Sequence, residues 1–211
     1  MTQPSATKKL PEGYRLSQSL NLIQDRKLLL SLSLASIGLF IVSWVGLLWM
    51  FQWLRPDFAA RVAGFSFTIT SVTGIFSPFL IILGVILVML ILHEAIHGIF
   101  FRVLTGGRVK FAFKGAYAYA AAPDWYLPKK PYMVISLAPL VLMTVGGVLA
   151  LLWVPLNWII PIILLVAMNA SGAVGDLYVF LLLTRMEDDV FIQDFGERMA
   201  IYTPNGEGMT G

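Results

Sequence analysis

Four long apolar runs constrain the fold of this 211-residue chain more than any other feature of its sequence. They extend over residues 28–51, about 78–104, about 132–153 and about 158–185. Each is long enough to cross roughly 30 Å of hydrocarbon as a helix, which satisfies its own backbone hydrogen bonds. With 58% hydrophobic and only 13% charged residues, the composition also excludes an ordinary soluble domain. We therefore predict an all-α polytopic membrane protein with four transmembrane helices.

The distribution of lysine and arginine predicts how these segments are oriented. Five precede the first segment, two lie in the first loop, six lie between the second and third segments, and two lie in the tail. The positive-inside rule places both termini and the second connection in the cytoplasm, and residues 59–73 in an outer loop. We predict a multi-pass protein of the cell membrane with a cytoplasmic lead-in (1–27), a four-helix membrane domain (28–185) and a cytoplasmic tail (186–211).

Three shorter segments have predictable local structure. Between residues 106 and 130, apolar residues alternate with lysines, which predicts a small cytoplasmic-side β-hairpin between helices 2 and 3. An edge of that hairpin could also receive an extended substrate by β-addition. In the third apolar segment, Pro139 is expected to kink or loosen the helix. For the tail, we predict a short helix followed by a frayed end.

The only two histidines of the chain lie four residues apart in the second apolar segment, as His93-Glu94-Ala95-Ile96-His97. Positions four apart share one face of a helix, so both imidazoles can reach a single ion. Glu94 is offset by one residue and can take a proton from metal-bound water, which is its role in zinc peptidases with this motif. The alternative is a pair of buried imidazoles with backbone or hydroxyl partners. Because the chain has no cysteine, any ion must have nitrogen and oxygen ligands.

A catalytic zinc site generally has three protein ligands, so a third donor is required. Glu94 and Asp176 are the only acidic residues within the apolar segments. Asp176 precedes Arg185 by nine residues, as His93 precedes Arg102, which places both groups roughly 13 Å from the cytoplasmic boundary. We therefore predict Asp176 as the third ligand. The alternative is a salt bridge or a helix-end contact.

Asn169 precedes Asp176 by seven residues and would lie on nearly the same helix face. Its amide could orient a substrate or stabilise an oxyanion. The alternative is that Asn169 and Ser171 form hydrogen bonds between helices.

With these residues, the chain resembles a family of bacterial integral-membrane zincin peptidases that was formerly a domain of unknown function. The likeness covers most of the chain and is carried by the histidine motif together with Leu10-Pro11-Glu12-Gly13-Tyr14, Lys129-Lys130-Pro131-Tyr132, Leu137-Ala138-Pro139 and Gly175-Asp176. More distantly, it is similar to the site-2 proteases, which are intramembrane zinc metalloproteases. Unlike those enzymes, it has Leu177 rather than glycine after Asp176, and no proline-rich run precedes the aspartate.

This resemblance implies residue roles and a cofactor. His93, His97 and Asp176 would bind Zn²⁺, Glu94 would be the general base, and Asn169 would correspond to an asparagine often found upstream of the aspartate. The function implied is a zinc metalloprotease that hydrolyses membrane or membrane-proximal protein substrates near the cytoplasmic face. Substrate choice does not follow from architecture.

Other functions are less compatible with the sequence. A non-catalytic metal protein, such as a transporter, sensor or pseudoprotease, remains the main alternative, although transporters usually need a series of polar sites. A membrane di-iron oxidase requires more ligands than the chain offers. The expected partners are the lipid bilayer and a membrane protein or peptide substrate. The net charge of +3 reflects membrane topology rather than nucleic-acid binding. Because four crossings form a small enclosure, a homodimer also remains open.

Overall fold

A computed structural model describes residues 5–21, 24–57, 72–115 and 117–205. Among these residues it contains five helices: α1 (Arg26–Leu54), α2 (Val72–Thr105), α3 (Lys129–Leu151), α4 (Leu156–Gly172) and α5 (Val174–Thr184). The strands are β1 (Tyr14–Leu20), β2 (Lys110–Phe113), β3 (Ala118–Ala121), β4 (Leu127–Pro128), β5 (Phe191–Asp194) and β6 (Met199–Pro204).

The apolar helices agree with a multi-pass membrane protein. Three of them, α1, α2 and α3, are each long and apolar enough to cross a membrane, and α4 with α5 makes a fourth if the bent pair is one span. Helix α2 begins at Val72, earlier than the sequence predicts. Most of the expected outer loop at 59–73 lies outside the described residues.

The fourth apolar segment is broken, whereas the sequence analysis expects one continuous helix. Helices α4 and α5 meet at Ala173 with a bend of 43°. Gly172 beside the break favours it, because glycine is a poor helix former. Side chains and backbone satisfy the polar groups there: Ser36 Oγ donates to the Ser171 carbonyl at 2.8 Å, and the Ala173 N–H donates to the Asn169 carbonyl at 2.9 Å.

The chain divides into two compact units, and each has its own core. The first comprises residues 1–32, 94–139 and 175–211, and the second comprises residues 33–93 and 140–174. In the first unit, helix residues pack with strand residues, and the core includes Phe101, Leu127, Ile135, Leu183, Ile192 and Ile201. In the second unit, the core residues are Phe51, Leu151, Ile159 and Ile163.

An antiparallel four-stranded sheet in the first unit corrects two expectations from the sequence. Its strand order is β1-β6-β5-β4, so the lead-in, the connection before α3 and the tail all contribute strands. The tail therefore forms strands β5 and β6 rather than the expected short helix, and the fold is mostly helical rather than all-α. The end of the tail, where fraying is expected, lies outside the described residues. Both strands pair with segments distant in sequence, and such pairing outweighs weak local preference.

The predicted hairpin is present between α2 and α3. Strands β2 and β3 pair antiparallel, with Lys110 opposite Ala121 and Phe113 opposite Ala118. The N–H of Lys114 donates to the Tyr117 carbonyl at 2.8 Å and closes the turn. Alternation in the sequence is therefore a reliable guide here, because hairpin pairing is local.

The segment Leu10 to Tyr14, one of the motifs in the family resemblance, anchors β1 to the tail. Gly13 has φ +82°, a conformation that glycine adopts without strain, and its carbonyl accepts the Asn205 N–H. Tyr14 donates a hydrogen bond to Asp189 and its ring lies edge-on to Phe191 at 5.1 Å. Burial, with the nearby Asp189 carboxylate, raises the pKa of Tyr14 to about 12. The motif thus has a structural role.

Truncation of a buried residue in the sheet should test its contribution to stability. Ile201 lies in the central strand β6 and is 0% exposed, so we expect Ile201→Ala to lower the free energy of unfolding by about 2–5 kcal/mol. Leu16, in β1 of the same sheet, is 56% exposed, and Leu16→Ala should change the free energy of unfolding by no more than about 0.5 kcal/mol. Denaturant unfolding in detergent micelles measures both values. Equal losses in the two variants would contradict the described packing.

Candidate metal centre

The histidine motif lies in the C-terminal half of α2, and both imidazoles are buried. His93 is 7% exposed and His97 is 8% exposed, while Glu94 is half-buried. The residue after His97 is Gly98, and a Cβ at this position would collide with the ring of Phe111 from β2. The absence of a side chain at Gly98 therefore allows the hairpin to pack directly beside the motif.

His97 has a defined orientation between a carbonyl and a carboxylate. Its Nδ1–H donates to the Ile135 carbonyl of α3 at 3.1 Å, and its Nε2 lies 3.4 Å from Asp176 Oδ2. A carbonyl can only accept, so the neutral imidazole carries its proton on Nδ1 and directs the Nε2 lone pair toward Asp176. Two electron-rich atoms at this separation require a proton or a cation between them.

His93 is oriented in the same way by Asn169. Its Nδ1–H donates to the Asn169 side-chain oxygen at 2.9 Å, and Asn169 is 0% exposed on α4. This contact again places the imidazole proton on Nδ1, so that Nε2 can bind an ion. It is a hydrogen bond between helices, the alternative that the sequence left open for Asn169 beside a substrate or oxyanion role, although the sequence did not indicate His93 as the partner.

The three candidate ligands are close enough to share one ion. The donor atoms of His93, His97 and Asp176 all lie within 4.8 Å of one another. His93 and His97 lie about one turn apart in the continuous helix α2.

These residues fit zinc in both chemistry and spacing. Two atoms bound to one tetrahedral zinc at about 2.0–2.1 Å lie about 3.3 Å apart, close to the separation of His97 Nε2 and Asp176 Oδ2. Two neutral imidazoles and one carboxylate are also a donor set used by catalytic zinc sites. The geometry therefore supports the prediction from the sequence that His93, His97 and Asp176 bind zinc.

Tyr132 and Asp194 lie near His97 and were missed by the sequence analysis. The Tyr132 hydroxyl donates to Asp194 Oδ2 at 2.6 Å, and the Gly196 N–H donates to Asp194 Oδ1 at 2.7 Å. Burial raises the pKa of Asp194, while these two hydrogen bonds oppose the rise. No sequence signal indicated Asp194, because it is one of several acidic residues in a polar tail.

A buried lysine holds the start of α3 against the segment after α5. Lys129 Nζ donates to the Met186 carbonyl at 2.7 Å and to Asp188 Oδ1 at 2.9 Å. The Nζ atom of Lys130 lies 3.1 Å from Asp188 Oδ2. The two lysines hold the pKa of Asp188 below its usual range. The Lys129-Lys130-Pro131-Tyr132 motif thus connects α3 to the tail through Lys129 and Tyr132.

Comparison with known proteins identifies one family for this chain. A family model described as "Putative zincin peptidase" matches residues 86–191, from the middle of α2 to the first residue of β5. The chain belongs to this family, as its resemblance at the sequence level predicts, and zinc is the cofactor that the family implies. No curated protein matches the chain. No solved structure matches it either.

Removal of the carboxylate ligand should reduce zinc binding. We expect Asp176→Ala to lower the zinc content of purified protein from about one ion per chain to a small fraction of that, because two imidazoles alone bind zinc weakly. Elemental analysis measures the metal. Asp124→Ala removes an exposed carboxylate outside the cluster and should retain wild-type zinc content. Full zinc content in Asp176→Ala would exclude Asp176 as a ligand.

Substitution of Asn169 should weaken zinc binding without removing a ligand. Asn169→Ala deletes the acceptor for His93 Nδ1–H, and we expect zinc affinity to fall about 10–100-fold in chelator competition. Asn169→Asp retains an acceptor oxygen and should retain affinity. Asn157→Ala, at an exposed position in the first turn of α4, is the matched control. Equal affinity in Asn169→Ala and Asn169→Asp would show that this hydrogen bond does not orient His93.

Proposed function

We propose that this protein is a membrane-embedded zinc metallopeptidase that hydrolyses membrane or membrane-proximal protein substrates near the cytoplasmic face. The observation that carries the proposal is the approach of His97 Nε2 to Asp176 Oδ2 at 3.4 Å, with Glu94 on the same helical turn as His97. Membership of a zincin peptidase family supports the reaction class. The apolar helices support a location in the membrane.

The chemistry follows from the side chains around this site. When bound, zinc supplies a Lewis acid that polarises the scissile carbonyl and lowers the pKa of a water molecule. The carboxylate of Glu94 accepts a proton from the attacking water and delivers it to the leaving amine. Ile135 and Asn169 accept Nδ1–H of the two histidines, so that Nε2 of each imidazole is the nitrogen that can bind metal once it is deprotonated.

Both termini are proposed to lie in the cytoplasm. Strand β1 pairs with β6, and two strands can pair only if the lead-in and the tail are on the same side of the membrane. The lead-in carries five of the fifteen cationic residues, which favours the cytoplasmic side. In the second unit, exposed tryptophans mark the end of α1 and the turn between α3 and α4, as at a membrane interface: Trp49, Trp53, Trp153 and Trp158.

Strand β2 is proposed to present the substrate. Within the described residues β2 pairs only with β3, so its other edge offers main-chain donors and acceptors to an extended peptide. The contact of Phe111 with Gly98 holds this strand directly beside His97. A protein segment that adds to β2 would therefore pass close to the candidate zinc ligands.

The role of Glu94 separates a peptidase from a non-catalytic metal protein. We expect Glu94→Gln to retain zinc, because the residue is not a ligand, and to reduce cleavage about 10²–10⁴-fold, because glutamine cannot accept the proton. The measurements are zinc content and digestion of a peptide library in detergent micelles, followed by mass spectrometry. Glu187→Gln changes an exposed glutamate of the tail and should leave zinc content and cleavage unchanged.

The outcomes of this experiment are distinct. Undiminished cleavage by purified Glu94→Gln would refute the assignment of the general base. Zinc binding without cleavage in the wild-type protein would favour a metal-binding transporter, sensor or pseudoprotease.

A further inference from the structure

The Ile135 carbonyl, which orients His97, lacks its regular hydrogen-bond donor within helix α3. In a regular α-helix, the Ile135 carbonyl would accept the N–H of the residue four positions later. That residue is Pro139, which has no N–H, and it lies inside the continuous helix α3. The regular helix donor to the Ile135 carbonyl is therefore missing, and this carbonyl accepts Nδ1–H of His97 at 3.1 Å.

The hydrogen bond from His97 to the Ile135 carbonyl determines which nitrogen of the imidazole carries the proton. A neutral imidazole can carry its proton on either nitrogen, and a proton on Nε2 would form a hydrogen bond directly to the Asp176 carboxylate. An acceptor at Nδ1 favours a proton on that nitrogen, so that Nε2, which lies 3.4 Å from Asp176 Oδ2, is the nitrogen that can bind a metal ion. Ile135 is 1% exposed, so water cannot readily replace its carbonyl.

We propose that Pro139 is a positioning residue of the candidate metal centre. Its missing N–H, and the clash of its ring with the carbonyl of the preceding turn, reserve the Ile135 carbonyl for His97 and thereby set the tautomer that binds metal. The inference rests on the metal site of the proposed function, but not on peptide cleavage.

Substitutions at Pro139 can restore the missing donor. Pro139→Ala places an N–H opposite the Ile135 carbonyl, which then has two competing donors. We expect zinc affinity to fall about 10–100-fold in chelator competition, while the zinc-free protein becomes no less stable to heat, since alanine favours a helix far more than proline. Pro161→Ala, inside α4, makes the same change at another helix proline and should leave zinc affinity unchanged.

A second variant, Pro139→Gly, separates the effect of the new N–H on zinc affinity from the effect of helix stability. Glycine at 139 supplies the same N–H as alanine but favours a helix less. If the N–H competes for the carbonyl, Pro139→Gly and Pro139→Ala lose zinc affinity to a similar degree despite different thermal stabilities. A loss of affinity that follows thermal stability instead would overturn the proposal.

The tautomer itself can be measured in zinc-free protein. The chain has only two histidines, so ¹⁵N NMR of labelled imidazoles can distinguish them. We expect Nδ1 of His97 to be fully protonated in the wild type, where the Ile135 carbonyl accepts that proton, and only partly protonated in Pro139→Ala. Wild-type tautomer and wild-type zinc affinity in Pro139→Ala would refute the proposal. A wild-type protein that binds no zinc would refute the proposed function, whereas the tautomer measurement would still test the role of Pro139.

Discussion

The structure around the candidate site depends on the high cost of an unsatisfied polar group in an apolar environment. Two imidazoles and a carboxylate lie in segments that are otherwise hydrophobic, and each has a defined partner. His93 donates to Asn169, His97 donates to Ile135, and Asp176 lies opposite His97. With both Nδ1 protons engaged, the remaining ring nitrogens and the carboxylate form one cluster that suits a zinc ion.

Two irregularities in the helices make this arrangement possible. The break at Ala173 places Asp176 in the first turn of α5, where the positive end of the helix dipole favours a carboxylate. Pro139 leaves the carbonyl one turn earlier in α3 to an imidazole. An uninterrupted helix at either position would engage the backbone in its own hydrogen bonds and leave fewer groups for the site. Departures from regular geometry near a candidate site are thus consistent with function.

The sheet extends the structural support of the site to both ends of the chain. Strand β5 ends at Asp194, whose carboxylate accepts a hydrogen bond from the hydroxyl of Tyr132, in the first turn of α3. The ring of Tyr132 also contacts Phe101, one helical turn after His97 in α2. Residues of the tail therefore pack against the helices that carry the candidate ligands, and the tail is part of the same structural unit as His97 and Asp176.

Sequence alone was sufficient for features that depend on local periodicity. The apolar lengths predicted the helices, alternation predicted the β2–β3 hairpin, and the four-residue spacing placed His93 and His97 on one face of a helix. Asp176 could be proposed because a carboxylate is rare in an apolar segment. Each of these inferences needs only neighbouring residues and the known geometry of a helix or strand.

Only the tertiary structure revealed the partners of these groups. The contact of Asn169 with His93, the Ile135 carbonyl at His97, and Asp194 beside Tyr132 all join residues distant in sequence. The same holds for the sheet, in which β1 pairs with β6 across nearly the whole chain. Local propensity does not encode such pairings, because they form when separate segments satisfy one another's polar groups and bury one another's apolar surface.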